Sequence, residues 1–259
     1  MQHGISRIVA LAGVAILLTG CGASPAQDVT DETQGAGAEI GIDETQDIPT
    51  GEADAGSWLD GEEALWGTQE QKLTETDLTV LRSIVQIQAG TLYGSGVIYD
   101  MDADSVWIAT AGHVLDDDPG EVLVTFPEGT QVRAQVVAQA ADADLAFLQI
   151  EIGELTKETR KSFLPVTTDR DVFDGLAVYD DVWMYGSDGK PVYGFVVEPW
   201  IYVEDFGQDM MLLQGQMEPG MSGGGVFTAD GVFLGILCGA DESGKVAVVP
   251  YSVVATEKP

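Results

Sequence analysis

Short runs of apolar and β-branched residues, separated by turn-forming residues, make up most of the chain from about residue 78 onward. The separating stretches, such as DMDADS and GSDGKP, are rich in glycine, aspartate and proline, which favour tight turns. No segment keeps a 3.6-residue apolar period, so the pattern favours an all-β sandwich or barrel over helices. We predict strands at 83–89, 95–100, 105–110, 121–126, 131–138, 145–150, 177–183, 191–203, 210–214, 225–228, 232–238 and 246–250.

The first twenty residues have a different pattern, which predicts an export signal. Arg7 precedes an apolar run over 8–18, which is too short for a stable membrane span. The run ends in LTGC, which resembles the bacterial lipoprotein cleavage signal, where the cysteine becomes the lipidated N-terminus. An ordinary secretory signal with an incidental cysteine is the alternative. We predict a lipoprotein signal peptide over 1–20, lipid attachment at Cys21, and an extracytoplasmic protein anchored to a bacterial membrane.

Residues 21–76 are predicted to form an acidic, largely disordered tether. From Asp28 to Glu75 the sequence has fourteen acidic residues and one basic residue, Lys72. A segment with few apolar residues and one sign of charge buries too little surface to fold. The stretch 57–71 interrupts this pattern with two tryptophans and two leucines. It is either a short helix that docks on the folded domain or an apolar patch within the tether.

The net charge of the whole chain argues against two classes of partner, nucleic acid and anionic lipid. There are 43 Asp and Glu residues against 11 Lys and Arg, giving a formal net charge of −32. Nucleic-acid binding needs clustered cations to neutralise phosphates, so no nucleic-acid partner is expected. Adhesion of the folded part to anionic lipid is disfavoured for the same reason. A strongly acidic field favours basic partners.

Candidate acid–base residues stand beside predicted strands. Once the signal is removed, His113 is the only histidine, because His3 leaves with it. His113 lies on a turn directly after an apolar run, where a reactive group can face a cleft. Asp144 directly precedes the apolar run 145–150, and a carboxylate at the mouth of a buried strand needs a partner such as a histidine N–H. Asp142 is the competing candidate, and for both aspartates a purely structural turn is the alternative.

Ser222 is the candidate nucleophile, within the stretch PGMSGGGVF. Taken alone, this stretch also fits the G-x-S-x-G elbow of α/β-hydrolases. That fold requires the chain order serine, acid, histidine, and no histidine follows Ser222. The observed order, His113, Asp144, Ser222, in an all-β chain instead matches the chymotrypsin arrangement.

The folded part resembles the trypsin-like serine peptidases, and within them the bacterial high-temperature-requirement (Do-like) group. Each matching stretch is moderately specific, and their occurrence in one order is highly specific. The stretches are YGSGVIYD (93–100), WIATAGHVL (107–115), DADLAFLQI (142–150) and PGMSGGGVFTADGVFLGILCGA (219–240), with a weaker match in VAVVPYSVV (246–254).

The resemblance implies an all-β fold of two six-stranded antiparallel β-barrels, about 78–155 and 160–255, with the active site in the cleft between them. It places His113 and Asp144 on the first barrel and Ser222 on the second. In that arrangement the serine is the nucleophile, the histidine is the general base, and the aspartate orients the histidine.

The resemblance also implies an oxyanion hole made by the backbone N–H groups of Gly220 and Ser222. We expect the peptidase domain to cover residues 77–259, with no PDZ domain after it. The chemistry needs neither a metal nor a cofactor, and none is expected.

Some positions depart from the family pattern. Met221 stands where relatives carry Asp or Asn, and without a polar tip it predicts an oxyanion loop that is either looser or inactive when no substrate is bound. By alignment of the motif, the substrate pocket has Gln216 near its base and Ile236, Leu237 and Cys238 along one wall. No carboxylate occupies the base position, so small or medium apolar substrate side chains are expected. Cys238 lies in an apolar run and is predicted to be a buried, unpaired thiol.

The sequence therefore predicts a membrane-tethered serine endopeptidase that acts through a His-Asp-Ser triad and an acyl-enzyme intermediate. Its expected substrates are polypeptides, unfolded or basic. The alternative is a catalytically weak or inactive surface-binding lipoprotein with the same fold, and a serine esterase on this scaffold is a second. The sequence leaves the oligomeric state open.

Overall fold

Two closed β-barrels, each of six antiparallel strands, account for most of the folded chain. The computed structural model describes residues 72–115 and 120–259. Within these ranges the fold is the predicted all-β class with two six-stranded barrels, which confirms that prediction. The predicted signal peptide over 1–20, its Cys21 lipid site and nearly all of the 21–76 tether lie outside the described residues.

The first barrel is built from the N-terminal half of the described chain. Its strands close in the order β1-β2-β3-β6-β5-β4. Four of the six residues of strand β6 are buried, as its mostly apolar run predicted. The strands are β1 (Ile84–Ala89), β2 (Leu92–Met101), β3 (Ser105–Thr110), β4 (Val122–Thr125), β5 (Gln131–Gln139) and β6 (Ala146–Glu151).

The second barrel repeats the topology of the first, with ring order β7-β8-β9-β12-β11-β10. Its strands are β7 (Asp181–Tyr185), β8 (Pro191–Val203), β9 (Gln208–Gly215), β10 (Gly225–Phe227), β11 (Phe233–Ala240) and β12 (Lys245–Pro250). Strand β7 begins four residues later than predicted. Residues 177–180 form a turn instead, because the Asp180 carboxylate accepts from the Ala177 amide at 2.8 Å and the Asp180 amide donates to the Ala177 carbonyl.

Short α-helices lie at the ends of the barrels and between them. They are α1 (Glu75–Leu81), α2 (Lys157–Ser162), α3 (Arg170–Asp174) and α4 (Tyr251–Glu257). The sequence pattern does not predict them, because two turns or fewer give too few positions for a helical period to be visible. Within the described ranges, no helix is long and apolar enough to cross a membrane.

Helix α1 begins inside the segment predicted to be disordered tether. Thr74 caps it, and Thr74 and Asp77 form a capping box, each accepting from the other's backbone amide. The hydroxyl of Tyr185, on β7, also donates to Asp77 at 2.6 Å. Burial would raise the pKa of Asp77, but the hydrogen bonds from Tyr185 and Thr74 outweigh it and lower that pKa. The helix therefore precedes the first barrel in the chain yet is bonded to the second.

Candidate active site

His113 and Asp144 are brought together by the pairing of two strands of the first barrel. Thr110, at the end of β3, pairs with Ala146, at the start of β6. His113 follows β3 in a single-turn 3₁₀ helix at Gly112–Val114, and Asp144 lies two residues before β6. Since the two strands are antiparallel neighbours, their adjoining ends hold the two side chains next to each other.

Asp144 accepts two hydrogen bonds from His113. Its Oδ2 lies 2.8 Å from ring Nδ1, and its Oδ1 accepts from the backbone amide at 2.9 Å. An ionised carboxylate can only accept, so Nδ1 carries the proton and Nε2 is left as the basic atom of a neutral ring. Burial would raise the pKa of Asp144, but the hydrogen bonds and charge of His113 outweigh burial and lower that pKa.

Asp142, the competing candidate, is exposed, and within the described residues it makes no hydrogen bond to His113. Together with His113 and Phe206 it borders a cavity of about 530 Å³. Asp144 is therefore the aspartate that the structure places against the imidazole. Asp142 instead contributes a carboxylate to the surface beside it.

Ser222 comes from the second barrel, three residues before β10, and is 3% exposed. Its Oγ donates to the backbone carbonyl of Cys238 at 3.2 Å. The Nε2 of His113 is buried and has no hydrogen-bond partner among the described residues. Cys238 connects the two parts of the site, since its carbonyl accepts from Ser222 Oγ and its Sγ lies 3.8 Å from the Asp144 carbonyl oxygen. Among the described residues, Ser222 makes no hydrogen bond to His113.

The loop around Ser222 contains two glycines in a backbone conformation that favours glycine. Gly220 and Gly223 have φ of +92° and +83°, values that side chains other than glycine rarely adopt. Within the described residues, neither the Gly220 nor the Ser222 amide donates to another backbone group. The two amides predicted to be oxyanion donors therefore have no backbone acceptor within the described residues.

Met221, which the sequence suggested would loosen this loop, is a buried core residue. Its side chain is 1% exposed and packs in the apolar core of the second barrel. Its Sδ accepts from the amide of Glu218 at 3.2 Å, and its own amide donates to the Glu218 carbonyl at 3.1 Å. Burial of a flexible apolar side chain here replaces the polar contact expected of Asp or Asn.

The sequence alone assigns no role to Ser95, although it lies in the matched stretch YGSGVIYD. In the structure, Ser95 Oγ donates to the Gly220 carbonyl at 2.7 Å, and the Ser95 amide donates to the Ser222 carbonyl at 2.8 Å. Ser95 is fully buried. A serine between two glycines in a buried strand is the one signal in the sequence that could have pointed to it.

The residues predicted to form the substrate pocket are divided between a cavity and the barrel cores. Gln216 does line a cavity of about 800 Å³. The side chains of Ile236, Leu237 and Cys238 are fully buried in the barrel cores, so they do not form its wall. Residues 240–244, at the end of β11 and in the turn after it, also line this cavity.

That cavity is more acidic than the sequence suggested. Glu218, Asp241 and Glu242 line it, together with the rings of Tyr193 and Phe195. No lysine or arginine is among the residues that border it. Carboxylates and aromatic faces both attract cations, so the expectation of small apolar substrate side chains finds no support in this lining.

Cys238 is a free, fully buried thiol. Burial raises its pKa well above the ordinary value, and the charge of Asp144 raises it further. The thiol is therefore un-ionised and unreactive at neutral pH, as predicted for a small buried apolar residue. In the described part of the chain, no group of three or more His, Cys, Asp or Glu side chains could hold a metal ion.

Residues 94–236 match the family described as the trypsin-like peptidase domain. The match covers more than half of the chain and includes His113, Asp144 and Ser222. No curated protein sequence matches the chain significantly.

Solved structures with a similar fold are peptidases. A structure of Rv3671c from M. tuberculosis H37Rv, a serine-to-alanine mutant in an inactive form, has a TM-score of 0.56 at 20% identity, covering 71% of this chain and 88% of that one. The HtrA-type protease AlgW, also a serine-to-alanine mutant and solved with a tripeptide, has the same TM-score of 0.56 at 20% identity, covering 71% of this chain and 62% of that one. At this identity the likeness shows the fold alone.

Proposed function

Since this chain belongs to the trypsin-like peptidase family, we propose that it is a serine endopeptidase that uses Ser222, His113 and Asp144 and acts outside the cytoplasm from a lipid anchor. The observation that carries the proposal is the pair of hydrogen bonds from His113 to Asp144. They fix the ring in the tautomer whose free Nε2 can take a proton, and that nitrogen has no other partner among the described residues.

The chemistry begins with rotation of the Ser222 hydroxyl from the Cys238 carbonyl toward Nε2 of His113. Nε2 takes the hydroxyl proton while Oγ bonds to the substrate carbonyl carbon, whose oxygen becomes negative. The amides of Gly220 and Ser222 donate to that oxygen, and each such donor lowers the barrier by about 3 to 4 kcal/mol. His113 then passes the proton to the leaving amine as the carbon–nitrogen bond breaks, which leaves an acyl ester on Ser222.

Hydrolysis of the acyl ester repeats these steps with water. Nε2 takes a proton from the water molecule as its oxygen attacks the ester carbon, and the proton returns to Ser222 Oγ as the acid departs. Asp144 stabilises the imidazolium in both halves without itself being protonated, which agrees with its lowered pKa.

The substrates are proposed to be polypeptides with basic residues near the bond that is cut. Two cavities support this: one bordered by Glu218, Asp241 and Glu242, the other by Asp142 beside His113. The chain's net charge of −32 adds a long-range attraction for cations. Since exposed charges are screened by salt, cleavage of a basic peptide should weaken with ionic strength more than cleavage of a neutral one.

A fluorophosphonate probe tests for an activated serine. Wild type should be labelled, Ser222→Ala and His113→Ala should not, and Ser252→Ala, a serine change in α4, should be labelled like wild type. Casein turnover should follow the same pattern. A folded wild-type protein that resists the probe would contradict the proposal.

The lipid anchor rests on the LTGC stretch at 18–21. Bacteria expressing the protein and fed an alkyne fatty acid should yield a labelled, membrane-bound protein. Cys21→Ser should abolish both the label and the membrane fraction. A protein that is released to the medium unlabelled would show an ordinary secretory signal instead.

One observation favours the second candidate, an inactive surface-binding protein. The Ser222 hydroxyl bonds to Cys238 rather than to His113, so the resting site is not arranged for attack. Binding of a polypeptide without cleavage, together with absence of probe labelling, would support this candidate. An esterase would instead be labelled and would cleave ester but not casein substrates.

A further inference from the structure

Ser95, a residue of β2 in the first barrel, makes four hydrogen bonds at the junction of the two barrels, and these engage all three of its polar atoms. Its Oγ donates to the Gly220 carbonyl at 2.7 Å and accepts from the Ser187 amide at 2.8 Å. Its amide donates to the Ser222 carbonyl at 2.8 Å, and its carbonyl accepts from Thr110 Oγ1 at 2.8 Å. We infer that Ser95 is a positioning residue that holds the oxyanion hole, an inference that rests on the proposed peptidase function.

The bonds from Ser95 fall on both sides of the peptide group that carries the reactive amide. The carbonyls of Gly220 and Ser222 are fixed by Ser95, and the Met221–Ser222 peptide lies between them. The Ser222 amide, one of the two oxyanion donors, belongs to that peptide. Fixing the carbonyl on each side restricts rotation of this peptide, so the N–H keeps its direction when no substrate is bound.

The Ser95 hydroxyl also bonds to a third segment, the turn after β7. The Ser187 amide belongs to the turn after β7, and Gly186 in the same turn packs on Met221, since a β-carbon there would lie 2.8 Å from Met221 Cγ. One hydroxyl therefore connects the nucleophile loop to the turn that supports it. Because Ser95 is fully buried, no water can replace that hydroxyl without rearrangement.

Ser95 also links the two halves of the catalytic arrangement. Thr110 bonds to the Ser95 carbonyl and stands three residues before His113. The Ser95 amide, on the same residue, holds the Ser222 carbonyl. The chain segments that carry the base and the nucleophile are thus bonded to one residue, which sets their separation across the junction.

The test compares Ser95→Ala with Ser83→Ala in the purified full-length protein. Ser83 is an equally buried serine, and its hydroxyl donates to the Val80 carbonyl at 2.7 Å, without bonding to the nucleophile loop. Ser95→Cys is a third variant, which keeps the shape of the side chain with a weaker hydrogen-bonding group. If Ser95→Ala does not fold, Ser95→Cys is compared with wild type instead.

Two readouts separate positioning from general stability. The first is hydrogen exchange of the backbone amides in residues 216–224, measured by mass spectrometry, which needs no enzymatic activity. The second is the division of any kinetic loss between kcat and KM for a peptide substrate. A misplaced oxyanion donor lowers kcat and leaves ground-state binding intact, and a displacement of about 1 Å costs on the order of 100-fold.

We expect Ser95→Ala to speed exchange in 216–224 and to lower kcat about 10- to 100-fold at unchanged KM. Ser95→Cys should fall between alanine and wild type, and Ser83→Ala should change neither readout. Unchanged exchange in the folded Ser95 variants would overturn the inference, whatever the activity. If wild type cleaves no substrate and Ser95→Ala still exchanges faster than wild type in 216–224, the positioning role is supported and the peptidase function is rejected.

Discussion

Gly223 lies so close to Ser95 that a β-carbon on the glycine would be 2.1 Å from the Ser95 carbonyl oxygen. The same β-carbon would lie 2.2 Å from Thr110 Oγ1. Neither atom can move away easily, because the two are hydrogen-bonded to each other in the buried interior. Glycine at position 223, directly after Ser222, is therefore required by close approach between the barrels as well as by its φ.

Gly223→Ala should destabilise the protein by about 3 kcal/mol or more, through overpacking and an unfavourable φ together. Gly129→Ala is the matched control, since Gly129 has φ of +95° with no atom within 4 Å of its β-carbon. The control should cost about 1 to 2 kcal/mol, from backbone strain alone. Urea unfolding of both variants measures the difference, and equal losses would mean that the contact with Ser95 is unimportant.

Asp144→Asn should lower kcat by about 10³- to 10⁴-fold, because an amide can donate to Nδ1 and favour the wrong tautomer of His113. Asp142→Asn should leave kcat nearly unchanged, since Asp142 is exposed and makes no hydrogen bond to His113 within the described residues. Steady-state hydrolysis of one peptide by both variants gives the comparison. A large loss of kcat in Asp142→Asn with little loss in Asp144→Asn would show that Asp142, and not Asp144, orients His113.

The lowered pKa of Asp144 predicts a pH-dependent contribution to stability. The folded state binds a proton to this group less readily than the unfolded state, whose pKa is about 3.9. The contribution is therefore fully present above that pKa and is lost as pH falls through the lower folded value. The stability difference between wild type and Asp144→Asn, from urea midpoints between pH 5 and pH 2, should shrink on acidification. A difference that grew toward low pH would reverse the assigned direction.

Met221→Ala should destabilise the protein by about 2 to 5 kcal/mol, because it leaves a cavity in the core of the second barrel. Met221→Leu, which nearly conserves the volume, should cost less than about 1.5 kcal/mol. Thermal unfolding of the two variants measures this. If the alanine variant were as stable as wild type, the loop would be as loose as the sequence alone suggested.

Much of the fold could be predicted from the sequence because buried strands are visible in it as short apolar runs. Runs such as the one that forms β6 are mostly apolar, and all twelve predicted strands appear in the barrels. The residues His113, Asp144 and Ser222 could be chosen because their chain order is diagnostic when the fold is all-β. The assignment of catalytic roles to them stays a prediction.

Other features depend on contacts that leave no local pattern. Helix α1 has too few turns to show a period, and it is held by a tyrosine from a distant strand. The buried position of Met221 depends on the packing of the second barrel, which the residues beside it do not reveal. The side chains of Ile236, Leu237 and Cys238 are enclosed by the barrel cores, because both faces of β11 are buried, and the apolar run alone does not reveal burial on both faces.

The bond between Asp77 and Tyr185 has a consequence for the time course of folding. The two residues are 108 positions apart, so a chain that emerges N-terminus first exposes α1 long before its partner strand exists. Contacts of such sequence separation form late, because the loop must close before the bond is made. We expect the α1 amides to gain protection last in pulse-labelled refolding, and early protection there would show that the helix forms without Tyr185. Helix α1, which is synthesised before either barrel, would then be the last element to become protected, after both barrels have closed.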